Sequence, residues 1–192
     1  MAAILVVCSG NICRSPMAEG LLRRALERRL DDAAPVVGSA GTIAIDGAPA
    51  MPESIEAARE RGVDIRTHAA RLLTPELIDE ADLVVTMAAE HRDAVRRLVP
   101  GAVPRTFTLK ELTRVLESRP ATESDERLDA RVGVAAEARA SGAPANRFDE
   151  DVVDPLGMPL DTYRAIAWEI DEWTDRLVTA LYGPVPARAE GA

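Results

Sequence analysis

Apolar positions along this chain gather into short unbroken runs separated by longer stretches of helical periodicity. The run "AILVVC", residues 3 to 8, is β-branched and continuous, the pattern of a strand buried on both faces of a parallel sheet. A polar turn follows, and then "LLRRALERRL" repeats apolar residues at helical spacing. Leu21, Leu22, Ala25, Leu26 and Leu30 form one stripe, with Arg23, Arg24, Glu27 and Arg28 on the face turned to water. The helix is predicted to start at Ser15 as N-cap, with Pro16 at its first position and Glu19 in the opening turn.

The alternation of strand and helix continues. "VVGSAG" reads as a second strand ending in a glycine turn, and a helix over 53 to 61 is stopped by Gly62. "LTPELIDEA" is a short helix capped by Thr74, "DLVVTM" (82 to 87) a third strand, and 89 to 98 a helix ending before Pro100. "VPRTFTL" is a fourth strand leading into the helix "KELTRVLE". This order predicts one α/β domain: a doubly wound, flavodoxin-like, four-stranded parallel sheet with helices on both faces, whose ligands sit off the carboxyl ends of strands.

Residues 117 to 150 change character. Leu and Ile become scarce, only "RLDARVGVAAEARA" hints at a helix, and the stretch reads as a surface insertion or long loop. In "LDTYRAIAWEIDEWTDRLVTAL", Tyr163, Ile166, Ile170, Trp173, Leu177 and Leu181 fall on one helical face. The domain is expected to span 3 to 182, followed by a flexible tail at 183 to 192.

Charge and composition narrow the function. With 192 residues the chain suits one domain, and a net charge of −9 opposes nucleic-acid or anionic-membrane binding. The arginines of "RRALERR" read as a solvated helix face. Two cysteines and two histidines offer no metal-ligand cluster and no disulfide framework. Reduced thiols, no basic leader and no spanning segment point to a cytoplasmic protein.

Those two cysteines lie in one turn, "VVCSGNICRSPMAEG". A strand, a tight glycine-containing loop and a helix start bring backbone N–H groups to one point at the positive end of the helix dipole, a cradle for a tetrahedral oxyanion. The loop begins with a thiol, Cys8, and ends with a guanidinium, Arg14. Amide dipoles and Arg14 favour Cys8 as a thiolate, able to attack phosphorus while Arg14 grips the oxygens. Gly10 permits close backbone approach, Asn11 tolerates the left-handed conformation of a tight loop, and Ser15 can donate toward Cys8.

Loss of an alkoxide or phenoxide also needs a proton donor. In "FDEDVVDPLG" the candidates are Asp149, Glu150, Asp151 and Asp154; Pro155 restrains the backbone beside Asp154, which favours that residue.

The string "VCSGNICRSPMAEG" resembles the phosphate loop of the low-molecular-weight protein tyrosine phosphatases, and "SAGT", "THAARLLT", "DLVVTM" and "VVDPLG" follow in that family's order. The resemblance implies a cysteine-dependent phosphomonoester hydrolase without cofactor or metal, acting on a phosphotyrosine protein or another small phosphomonoester. It implies Cys8 as nucleophile, Arg14 as phosphate clamp and Asp154 as general acid. Ser9, Gly10, Asn11, Ile12, Cys13, Arg14 and Ser15 would form the phosphate loop, with Ser39 and His68 helping to hold Asn11. Cys13 is a candidate redox partner that traps oxidised Cys8 as a disulfide. His91 is expected to be structural.

The chain departs from the family in its pocket walls. "IAIDGAPAM" and "LGMPL" lack the aromatic residues that stack on a phenol ring, although Ile12 suits an aryl group and Phe148 could supply another wall. Two alternatives stand beside the phosphatase: an arsenate reductase using a small-molecule thiol, and a non-catalytic phosphate-binding module.

Overall fold

Along β1 (Ala3–Cys8) every residue from Ile4 onward is buried, and alternation divides them between two cores. Ile4, Val6 and Cys8 belong to a large cluster with Leu21, Leu22 and Leu26, whereas Leu5 and Val7 join a smaller one with Ile78, Val84 and Val95. A strand apolar on both faces must be covered on both faces. In this computed structural model, which describes residues 2–121, 127–142 and 150–184, that is the case.

β1 pairs in parallel with β2 (Val36–Gly41) and β3 (Leu83–Thr86), and β3 with β4 (Thr106–Thr108), giving the order β2-β1-β3-β4. The larger core lies under α1 (Arg14–Leu30), α2 (Pro52–Glu60), α5 (Leu109–Glu117), α6 (Leu128–Ala140) and α7 (Leu160–Tyr182). The smaller core lies under α3 (Pro75–Asp79) and α4 (Ala89–Leu98). The doubly wound parallel sheet expected from the sequence is therefore the observed fold. β1 and β3 sit in its middle, so their carboxyl ends are neighbours.

Local signals explain most boundaries. Thr74 Oγ1 accepts from the Leu77 N–H at the start of α3, and Gly62 takes a positive φ of 80° after α2. Thr108 and Glu111 form a reciprocal capping box at α5, which such motifs stabilise by about 1 kcal/mol.

Three expectations change. The fourth strand is only three residues long, because Pro100–Arg105 is wound into a 3-10 turn and two prolines there deny the ladder its donors. Arg24 does not simply face water: with Arg61 it pairs with the buried Asp171 carboxylate of α7, tying α1 and α2 to the last helix. Within 117 to 150, α6 is packed rather than peripheral. Its Leu128, Val132, Ala135 and Ala138 enter the large core, while Arg139 reaches the Thr106 carbonyl at 2.8 Å and stacks 4.2 Å from the Phe107 ring centre. Low Leu and Ile content hid this, because alanine buries well in close helix packing.

No helix among the described residues is long and apolar enough to cross a membrane.

Candidate active site

The loop from Cys8 to Arg14 must reverse the chain within a few residues, and Asn11 makes this possible by adopting φ 54°. Carbonyls along the turn are held from outside: Cys8 O accepts from Thr42 N at 3.0 Å, Ser9 O from Ile43 N at 3.0 Å and Ile12 O from Met51 N at 2.9 Å. Asn11 O lies 2.7 Å from His68 Nε2, which must therefore carry the proton. In a trans peptide the N–H points opposite to the C=O, so outward carbonyls turn the amides inward. The Asn11 amide donates to Cys8 Sγ at 3.3 Å.

Asn11, fully buried, is the hub of this arrangement. Its Nδ2 donates to Ser15 Oγ and to Ser39 Oγ, each at 2.8 Å, and its Oδ1 accepts from the Arg71 N–H at 2.9 Å. Ser39 in turn donates to Glu19 at 2.6 Å. Ser15 Oγ, already accepting from Asn11, has its hydrogen free for Cys8 Sγ at 2.9 Å. Two donors thus converge on the sulfur. Ser15 is consequently not the N-cap. The helix begins at Arg14, Cys13 occupies the cap position without a side-chain bond, and the Ser15 hydroxyl is spent on the loop.

Arg14 is almost wholly buried. Nη1 donates to the Val152 carbonyl at 3.1 Å, and Nη2 to Ser9 Oγ at 3.2 Å and to Asp154 Oδ2 at 2.6 Å. Its Nε–H is buried with no partner among the described residues. A guanidinium with one unanswered donor inside an amide cradle is poised for an anion. Asp154 also accepts from the Leu156 N–H at 3.2 Å, so it closes its own turn while facing Arg14. Of the other acid candidates, Asp151 caps α4 through Ala89 N at 2.8 Å and Glu150 is buried. Asp149 and Phe148 lie outside the described residues.

Cys13 is buried, its Sγ 3.8 Å from Tyr163 Oη, and both thiols are free. Burial pushes the Cys13 thiol above its ordinary range, against smaller lowering by hydrogen bonds from Tyr163 and Ser54. Ile43, whose amide holds Ser9 O, and Leu156, whose amide holds Asp154, are exposed, so two aliphatic side chains stand beside the loop.

A family model described as low molecular weight phosphotyrosine protein phosphatase matches residues 3–120. The chain belongs to that family. The probable low molecular weight protein-tyrosine-phosphatase EpsP of Ralstonia solanacearum is 41% identical over 109 residues, covering 57% of this chain and 71% of that protein. The protein-arginine-phosphatase of Geobacillus stearothermophilus is 32% identical over 178 residues, covering 93% and 95%. Among solved structures, a low molecular weight protein tyrosine phosphatase from T. tengcongensis superposes with a TM-score of 0.71 at 31% identity, covering 94% of this chain and all of that one. Relatives of this family member are thus phosphatases of two kinds, and Cys8 occupies the position of a phosphate-loop cysteine.

Sequence patterning brought out Cys8, Asn11, Arg14 and Asp154, the family resemblance added Ser39 and His68, and the structure gathers all six around one loop. It did not bring out Gly41, Arg71 or His91. A Cβ on Gly41 would stand 2.5 Å from Ser9 O and 2.8 Å from Asn11 N, so β2 presses on the loop as only glycine allows. Arg71 Nε and Nη2 donate to Ser39 O at 3.2 and 3.0 Å, steadying the strand that carries Ser39. His91 Nε2 lies 2.9 Å from Ser9 Oγ. Topology held the missing signal, because the helix after β3 begins beside the helix after β1.

Proposed function

We propose that this family member hydrolyses phosphomonoesters through a cysteinyl-phosphate intermediate, with a phosphotyrosine protein as the favoured substrate class. The observation that carries the reading is one loop that opens on Cys8 Sγ, doubly hydrogen-bonded by the Asn11 amide and Ser15, and closes on Arg14, whose buried Nε–H has no partner among the described residues. The sulfur anion attacks phosphorus, the P–O bond to the leaving group breaks, and Asp154 protonates the departing oxygen. Water then attacks the phosphorus of the thiophosphate, giving its proton to Asp154 and returning the sulfur as leaving group. Arg14 and the inward amides hold the equatorial oxygens throughout, where charge is spread in the transition state. Free thiols in the active loop suit a reducing compartment such as the cytoplasm.

Release of p-nitrophenol from its phosphate ester tests the activity, with Cys8→Ser as control. Turnover abolished by that substitution is expected; equal turnover in both would overturn the reading.

A second reading, hydrolysis of phosphoarginine, is favoured by the span of the match, since the arginine phosphatase relative aligns over 93% of the chain. Ile12 and the two aliphatic side chains beside the loop offer a guanidinium leaving group little polar company, which supports the aryl ester first. Competing phosphotyrosine and phosphoarginine peptides at equal concentration decide between the two by their kcat/KM ratio.

A further inference from the structure

Ser9 and His91 form a pair that the reaction just described does not use. His91 is 1% exposed, sits in the first turn of α4, and reaches across to the residue that follows Cys8. Its Nε2 is 2.9 Å from Ser9 Oγ and 3.4 Å from the carboxylate of Glu90. Its Nδ1 is buried and has no partner among the described residues.

Those two distances and the empty surroundings of Nδ1 among the described residues settle where the imidazole proton belongs. A carboxylate only accepts, so a lone pair on Nε2 would face negative charge, while a proton there answers both Glu90 and Ser9. A proton on Nδ1 would instead be an orphaned buried donor, which native interiors avoid. The ring therefore donates through Nε2. Burial and the Arg14 charge hold His91 well below its ordinary range, down to about 4, so the ring is neutral where the enzyme works.

The consequence falls on Ser9. Its Oγ accepts from Arg14 Nη2 at 3.2 Å and from His91 Nε2, which uses both lone pairs. The hydroxyl hydrogen has no acceptor among the described residues, and Ser9 is only half-buried within the phosphate loop. We propose that Ser9 Oγ–H is a further donor to the phosphoryl oxygens and that His91 is the positioning residue that aims it, by occupying the second lone pair of Oγ. The proposal rests on the phosphatase reading for its substrate, while the proton assignment does not.

Nitrogen-15 NMR of imidazole-labelled protein tests that assignment on the unsubstituted chain. Only two histidines are present, so His91 is identified by comparison with His91→Gln. The expected result is a neutral ring protonated on Nε2; protonation on Nδ1 overturns the proposal. Kinetics and inhibition by inorganic vanadate supply the functional arm. Ser9→Ala should lower kcat/KM for p-nitrophenyl phosphate and weaken vanadate inhibition, each by roughly 10-fold, the size of one hydrogen bond to a charged group. His91→Leu should cost about the same, and the double variant no more than either. His91→Gln, which keeps an N–H near the same place, should recover most of the loss. Additive losses, or a His91→Gln as impaired as His91→Leu, would overturn the role of His91. Failure of the unsubstituted protein to turn over the ester would sink the phosphatase reading instead, and the NMR and vanadate arms would still judge the Ser9 donor.

Discussion

Asp154 Oδ2 lies 2.6 Å from Nη2 of Arg14, so the carboxylate of a late segment is paired with the guanidinium that ends the first loop. The ion pair joins the two groups assigned opposite tasks: one holds the phosphoryl oxygens, the other serves the leaving group. Because Asp154 is 42% exposed, the pair contributes little to stability. Its value is aim.

Replacing Asp154 by alanine should therefore leave folding nearly unchanged and act on chemistry. On phenyl phosphate, whose leaving group needs a proton, kcat should fall roughly 10²- to 10⁴-fold. On p-nitrophenyl phosphate the loss should be far smaller. A series of substituted phenyl phosphates gives the check: the slope of log kcat against leaving-group pKa should steepen in the variant.

Gly41→Ala should damage the loop from a distance. Its new Cβ would meet two backbone atoms of the loop, Ser9 O and Asn11 N, neither of which can swing aside as a side chain can. A cost of about 1 to 3 kcal/mol by urea unfolding is expected, together with weakened vanadate inhibition. By contrast, alanine at Gly133, where a Cβ meets nothing within 4 Å, should be stable or slightly stabilised.

Stability should depend on pH through His91. Its pKa in the folded protein is lowered to about 4, from an ordinary 6.5, chiefly by burial. The unfolded chain then binds the proton more readily, so folding weakens as pH falls from 6.5 to about 4 and the loss is complete below that. The shift corresponds to about 3 kcal/mol. Urea midpoints measured across pH 4 to 7 on the natural chain and on His91→Gln should diverge from their neutral-pH difference as the pH falls, the variant lacking this contribution.

Oxidation offers a fourth check. Peroxide converts Cys8 to a sulfenic acid, and attack by the Cys13 sulfur would form a disulfide and release water. Burial keeps Cys13 protonated, which slows that attack at neutral pH and speeds it as pH rises. Peptide mass mapping should find a bond between Cys8 and Cys13, and Cys13→Ser should make inactivation irreversible by thiol reductants. Absence of the bond would remove the protective role of Cys13.

How much of this was legible beforehand differs from element to element. β1 could be read to the residue because a strand buried on both faces leaves a continuous apolar run, and β2 because Pro35 and a glycine turn mark its two ends. For α6 the helix was readable but its packing was not, since only Leu128, Val132 and two alanines make its apolar face and its arginines work as anchors. At the site, residues adjacent in sequence were readable from the loop motif, and Asp154 from its proline. His91 was not, because a lone histidine carries no pattern and its meaning comes only from lying beside Ser9. Ser15 was read for two roles, and the structure keeps the one toward the Cys8 thiol while the cap position falls to Cys13.

The Val152 carbonyl that holds Arg14 Nη1 also anchors its own segment, because Val152 N–H bonds Met87 O at 2.8 Å beyond the end of β3. A growing chain that has emerged only as far as residue 120 already contains all four strands and the cysteine loop, yet neither the tether for its arginine nor the acid. The arginine of the first loop thus goes without these two contacts until residues 152 to 154 have joined the fold, so the loop is built early and braced late.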